Sequence, residues 1–170
     1  EGSRFTKEGY TFPKPLIDVN GKPMIQRVVE NLDFSAEYIF LVRKEHLEKY
    51  KGLELLLQQI TNNNYKIVVV DGLTEGAACT ALLAKEYINN DDDLLIANSD
   101  QIVEYSEQNF NYLKTFTNVD AMVFCFNAVH PKWSFVKLNS RGIATEVAEK
   151  NPISNIATSL FPRPIFLVAV

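Results

Sequence analysis

Lys66-Ile67-Val68-Val69-Val70, the glycine-bracketed loop Gly72-Leu73-Thr74-Glu75-Gly76 and the small-residue run through Ala77, Ala81, Leu82, Leu83 and Ala84 decide the fold. A short run of β-branched residues without polar alternation reads as a strand buried on both faces, as in a parallel sheet. The glycines then release the chain into a helix whose alanines let it lie close to that sheet. The same alternation recurs on either side. Upstream, Met24, Ile25, Val28, Val29 and Leu32 repeat at helical spacing behind Pro23, which suits a first helical turn. Residues 38–42 are a second apolar strand, followed by a polar helix over 45–60 that Asn62-Asn63-Asn64 ends. Downstream come a strand at 94–97, a helix around 106–116 and a strand at 121–126. This spacing predicts an α/β class, a three-layer α/β/α sandwich on a mostly parallel sheet. Residues 133–138 and 143–147 flank the turn Asn139-Ser140-Arg141-Gly142 and predict an antiparallel hairpin, so the sheet is expected to be mixed, with the hairpin near one edge.

The 170 residues suit one domain spanning 1–170, and 46% hydrophobic against 22% charged residues is the balance of an ordinary folded globule. A net charge of −4 argues against a broad nucleic-acid surface and leaves room for a local basic pocket. No apolar run approaches the roughly 20 residues that cross a bilayer, so no membrane partner is expected. Cys79 and Cys125 lack metal or redox spacing and read as buried free thiols of a cytoplasmic protein. His46 and His130 share no ligand-like spacing, and nothing in the chain reports an oligomeric state.

Chemistry concentrates at four places. Gly2-Ser3-Arg4-Phe5 joins a glycine turn, whose backbone N–H groups can cradle oxygens, to a guanidinium that grips phosphate through two bonds. Lys14 follows with Pro13 and Pro15 pinning the backbone on both sides, a restraint that a solvated lysine does not need. A plain surface turn is the competing reading of the glycine segment. Asp100 ends Leu94-Leu95-Ile96-Ala97-Asn98-Ser99-Asp100, beyond the carboxyl end of a strand where open α/β sheets place their ligands. There it suits a metal-bound polyphosphate, or simply a capping aspartate. In the loop before the alanine helix, Thr74 and Gly76 offer a hydroxyl and backbone amides to a base edge; a glycine hinge is the alternative. Glu149 and Lys150 follow the hairpin, where the lysine offsets a second phosphoryl group or merely pairs with its neighbour at a rim.

These pieces, in this order, resemble the sugar-phosphate nucleotidyltransferases, the pyrophosphorylase family that makes activated nucleotide sugars. The matching stretches are Gly2-Ser3-Arg4-Phe5, Phe12-Pro13-Lys14-Pro15-Leu16-Ile17, Gly21-Lys22-Pro23-Met24-Ile25, Ala97-Asn98-Ser99-Asp100 and Glu149-Lys150-Asn151-Pro152. The resemblance implies a Rossmann-like α/β/α domain of the nucleotide-diphospho-sugar transferase type. It also implies transfer of a nucleotidyl group from a nucleoside triphosphate to a sugar 1-phosphate, with release of pyrophosphate and Mg²⁺ as cofactor. It assigns Arg4 and Lys14 to the triphosphate as catalytic groups, Gly2, Ser3, Thr74 and Gly76 to the nucleotide, Asp100 to the metal, and Glu149 and Lys150 to the sugar phosphate. A phosphocholine or other alcohol-phosphate cytidylyltransferase needs the same grip, and an inactive or regulatory nucleotide-binding module is the non-enzyme alternative. The family carries a strand before the glycine turn and a second metal aspartate downstream, so both are expected outside these 170 residues. Leu160-Phe161-Pro162-Arg163-Pro164 departs from the glycine and aromatic strand that the family has there.

Overall fold

Residues 12–115, 120–160 and 166–169 are described by the computed structural model, and they divide into two units. One is formed by the chain up to Glu104 together with the segment from Pro164, the other by Tyr105–Arg163.

The first unit opens with a 3₁₀ turn at Lys14–Leu16 and a two-stranded ribbon, β1 (Asp18–Val19) and β2 (Lys22–Pro23). Asn20 and Gly21 link the strands with φ of 53° and 81°, the paired left-handed geometry of a type I′ turn. The Asp18 carboxylate accepts the Gly21 N–H at 3.0 Å. Helix α1 (Met24–Leu32) follows directly, with Ile25, Val28, Val29 and Leu32 buried on the face that the sequence spacing marks. Its Arg27 returns to the ribbon, donating to the Val19 and Asn20 carbonyls at 3.1 and 2.6 Å.

Strand β3 (Tyr38–Arg43) is buried from Tyr38 through Val42, side chains of both faces included, which is why its sequence shows no alternation. The polar helix read over 45–60 is two helices, α2 (Lys44–Lys49) and α3 (Leu53–Ile60). The chain turns between them at Tyr50 to Gly52, where Gly52 has the lowest cost for leaving the helix. Strand β4 (Tyr65–Val70), helices α4 (Ala77–Leu82) and α5 (Lys85–Ile88) and strand β5 (Leu95–Asn98) complete this portion. Ala81 and Ala84 pack with Ile39, Leu41 and Val70, so the small residues do bring the helix segment close to the sheet.

The sheet of this unit is wholly parallel, in the order β4-β3-β10-β5, where β10 is Phe166–Ala169. Tyr38 pairs with Phe166, and Phe166 with Leu95. A segment from beyond the second unit thus fills an interior place in the sheet of the first.

The second unit carries helix α6 (Glu107–Lys114) and an antiparallel sheet ordered β6-β9-β7-β8: β6 (Phe124–Asn127), β7 (Ser134–Leu138), β8 (Ala144–Glu149) and β9 (Ile156–Leu160). The expected hairpin is β7–β8, and β8 is an edge strand. Asn139 holds its turn by accepting the N–H groups of Arg141 and Ile143 at 2.9 and 3.0 Å. The run at 121–126, read as one more strand of the alternating α/β series, is displaced to 124–127 and pairs antiparallel with β9. Apart from the β1–β2 ribbon, parallel and antiparallel pairing are therefore segregated among the described strands. Phe110 is buried against the rings of Tyr105 and Phe124, and Phe135, Val136 and Ala157 form the interior of the sheet. Contrary to expectation, Cys79 and Cys125 both lie at the surface. The run Phe124-Cys125-Phe126 is only partly covered, so its apolar neighbours do not bury the thiol.

Candidate active site

The four strands of the parallel sheet point the same way, so their carboxyl ends share one rim, the side on which such sheets bind ligands. Lys14 and Asp100 meet there. Pro13 and buried Pro15 hold the 3₁₀ turn that presents Lys14, and Asp100 lies two residues beyond β5 in the turn that ends it. Lys14 Nζ stands 2.8 Å from Asp100 Oδ2 across 86 residues of chain, with the side chains 36% and 33% exposed. At that exposure an ion pair contributes about 0–1 kcal/mol to stability. A pair so weakly stabilising is readily exchanged: an anion can take the ammonium and a cation the carboxylate.

Asn98 donates to the Gln101 side chain at 2.8 Å and so closes the turn around Asp100. Among the described residues no three acidic, histidine or cysteine side chains gather to hold a metal by themselves. The donor set is one carboxylate with an ammonium standing where a cation would sit. Mg²⁺ is commonly held by one or two carboxylates plus phosphate oxygens, so this set fits an ion carried on a polyphosphate rather than a free-standing centre.

Thr74 and Gly76 lie in the loop after β4, on the same rim. The Thr74 hydroxyl is 2.5 Å from that of Thr80, and the Thr80 hydroxyl donates to the Gly76 carbonyl at 3.1 Å. The loop is thereby tied to the first turn of α4, while Gly76, Ala77 and Ala78 stay exposed. Three strand spacings separate β4 from β5, about 14 Å at 4.8 Å each. That separation suits the two ends of one extended ligand lying along the rim.

Arg43 was not singled out by the sequence reading, although it ends the strand β3 and so reaches the same rim. Its Nη2 pairs with Glu45 Oε1 at 3.0 Å, while its buried Nε has no hydrogen-bond partner among the described residues. Lys44 reaches Asp71 at 3.8 Å. The available signal was a basic pair directly after an unbroken apolar strand. Gly2, Ser3 and Arg4 lie outside the described residues.

In the second unit, Glu149 ends β8 and Lys150 follows with φ of 53°, its N–H donating to the Trp133 carbonyl at 3.0 Å. The two side chains pair at 3.1 Å and are largely exposed. Glu149 also borders a cavity of about 260 Å³, with Ser134, Phe135, Val147, Ala148 and Thr158 among its walls. An apolar floor with a carboxylate and two hydroxyl residues suits a small, partly polar molecule. No helix among the described residues is long and apolar enough to cross a membrane.

No protein-family model matches the chain. It is 29% identical over 161 residues to the bifunctional protein GlmU of Methanocaldococcus jannaschii, covering 91% of this chain and 36% of that one. It is 33% identical over 107 residues to the GlmU of Methanococcus maripaludis, covering 62% of this chain and 24% of the relative. The chain thus spans about a third of the length of the curated relatives it matches, or less. A nucleoside-diphosphate-sugar pyrophosphorylase structure from Vibrio cholerae superposes with a TM-score of 0.76 at 24% identity, covering 95% of this chain and 70% of that one. A Bacillus anthracis protein assigned as a glucose-1-phosphate thymidylyltransferase, solved with sucrose, gives 0.79 at 21% identity over 95% and 66%. The solved structures thus share the fold of this chain, and the curated GlmU proteins resemble it in sequence along most of its length.

Proposed function

We propose that the chain is the nucleotidyltransferase portion of an enzyme that joins a nucleoside triphosphate to a sugar 1-phosphate and releases pyrophosphate. The observation that carries this reading is the Lys14–Asp100 pair at the carboxyl rim of the parallel sheet. An oxygen of the sugar phosphate attacks the α-phosphorus, a new P–O bond forms, and the bond to the β-phosphate oxygen breaks with its electron pair leaving on pyrophosphate. The nucleophile is already an anion, so the step needs no strong base. It needs two anions aligned and the growing charge on the phosphoryl oxygens offset.

In this reading Lys14 would turn from Asp100 to the triphosphate, and Asp100 would hold the Mg²⁺ that comes with it. When bound, Mg²⁺ draws charge from the phosphate oxygens. Arg4 adds a second cation to the leaving group, with Gly2 and Ser3 giving backbone N–H groups. The loop at Thr74 and Gly76 lies by the base. Glu149, which borders the cavity of the second unit, and its neighbour Lys150 take the sugar phosphate. We place the reaction on a three-layer α/β/α frame, as one catalytic domain in the cytoplasm, with a pyrimidine triphosphate as donor.

Replacing Lys14 with alanine is expected to weaken UTP binding by about 1.5–3 kcal/mol in calorimetric titration, the worth of a charge-assisted hydrogen bond, while leaving the circular dichroism spectrum unchanged. Equal affinity in Lys14→Ala and wild type rules out the phosphate role. Pyrophosphate release with hexose 1-phosphates, and not with phosphocholine, is the expected outcome of an acceptor panel. Release with phosphocholine alone would assign the cytidylyltransferase activity instead.

A further inference from the structure

Asn31 belongs to the last turn of α1, and its side-chain amide is bonded at both ends to one distant residue. Its Nδ2 donates to the Val103 carbonyl at 3.2 Å, and its Oδ1 accepts the Val103 N–H at 2.9 Å. The side chain acts as a strand of one residue would, satisfying the donor and acceptor of a backbone that is otherwise irregular from 101 to 106. Both groups are half-buried. Val103 lies three residues beyond Asp100. On its other side Asp100 is anchored by β5, whose Asn98 pairs with Ala169. The turn that carries the carboxylate is therefore held at two points, and one of them is Asn31.

The same helix governs the partner of that carboxylate. The Met24 N–H donates to the Ile17 carbonyl at 2.9 Å, and the Ile17 N–H to the Lys14 carbonyl at 3.1 Å, so the start of α1 is bonded to the turn that presents Lys14. Helix α1 thus fixes both halves of the charged pair: Lys14 through its first residue and Asp100 through its last turn. We infer that Asn31 is a positioning residue of the nucleotide site, holding Asp100 where a phosphate-borne cation meets it. It touches neither substrate nor metal. The inference rests on the functional reading above only for the identity of the bound ion.

The test separates the two. Asn31→Ala and Asn31→Asp are titrated with UTP in the presence of Mg²⁺ and again in EDTA, alongside wild type. Asn31→Asp keeps the acceptor for the Val103 N–H and loses the donor. Because Asp100 is to meet the metal, Asn31→Ala is expected to weaken binding about tenfold with Mg²⁺ and to leave binding in EDTA unchanged, with Asn31→Asp weakened at least as much because its second carboxylate oxygen faces the Val103 carbonyl. Equal weakening under both conditions marks a general structural role and overturns the inference, as does unaltered binding under both. Backbone amide exchange decides the positioning independently of any ligand. Faster exchange at Val103 and through the Asp100 turn in Asn31→Ala, with α3 and β4 unaffected, is expected. Unchanged exchange at Val103 overturns the inference even where UTP binds as proposed. If wild type shows no metal-dependent binding of UTP, the functional reading fails, and the exchange result alone decides whether Asn31 positions Asp100.

Discussion

His46 shows how a side chain that the sequence leaves without a role acquires one from its surroundings. Its ring is 17% exposed, packs against Tyr50, and has a buried Nδ1 with no hydrogen-bond partner among the described residues. Burial is the main cause that holds its pKa below the usual 6.5; Glu45 draws it back up, and Arg43 and Lys49 push it further down. The folded state therefore binds the proton less readily than the unfolded chain. Stability is whole above about pH 6.5 and falls as pH drops through that value toward the lowered one, because the unfolded state takes up the proton first. His46→Gln is expected to flatten the denaturation midpoint across that acid range, and an unchanged pH slope in urea titrations would count against it. Lys14 and Asp100 were legible because each breaks a local rule: a lysine between two prolines, and a carboxylate straight after an apolar strand. Asn31 was not legible. One polar residue at the end of an amphipathic helix looks like any solvent-facing position, and no local pattern reports that its partner is 72 residues away.

The sequence reading did not name the ribbon β1–β2, although Asn20-Gly21 signals it, since only residues that tolerate positive φ close a two-residue turn of this hand. An added Cβ at Gly21 would meet nothing within 4 Å, so the cost of substitution there is purely conformational. Gly21→Ala is expected to destabilise the first unit by about 1 kcal/mol, and Gly21→Asn by less, since asparagine visits that region more readily. Equal midpoints for glycine, asparagine and alanine in chemical denaturation would contradict the turn assignment. Helix α1 and strands β3, β4 and β5 were recoverable from their apolar patterns. The break at Gly52 was missed because the polar, mostly exposed face around it repeats the same helical pattern on both sides. The direction of β6 was hidden for a different reason. An apolar run of four to six residues has the same composition whether its neighbour runs with it or against it.

Strand β10 makes the first unit depend on residues far along the chain. Its backbone pairs with β3 on one side and β5 on the other, so without it two strands lose ladder partners and the buried backbone of β3 has unmet hydrogen bonds. A variant ending at Leu160 is expected to lose much of its helical circular dichroism and its UTP binding. Trp133, the one tryptophan, packs edge-on against Phe126 within the second unit and gives that unit its own fluorescence signal. Its emission is expected to stay native-like in that variant. Full retention of helical signal and UTP affinity would show that β10 is dispensable. Ile165-Phe166-Leu167-Val168-Ala169-Val170 was legible as apolar, but nothing local says that such a run returns to the middle of a sheet begun at Tyr38.

That return sets an order on the ribosome. The strands flanking the vacancy emerge first, and Tyr105–Arg163 must be synthesised before the strand that fills it. Pairings so distant in sequence are slow to form, because the loop between them must close before any contact rewards it. During that interval the nascent chain presents two unpaired apolar strand edges, open to a wrong partner or to the same segment of another copy. The strand that completes the sheet of the first unit is also the one that ends its exposure to the other chains of a polysome.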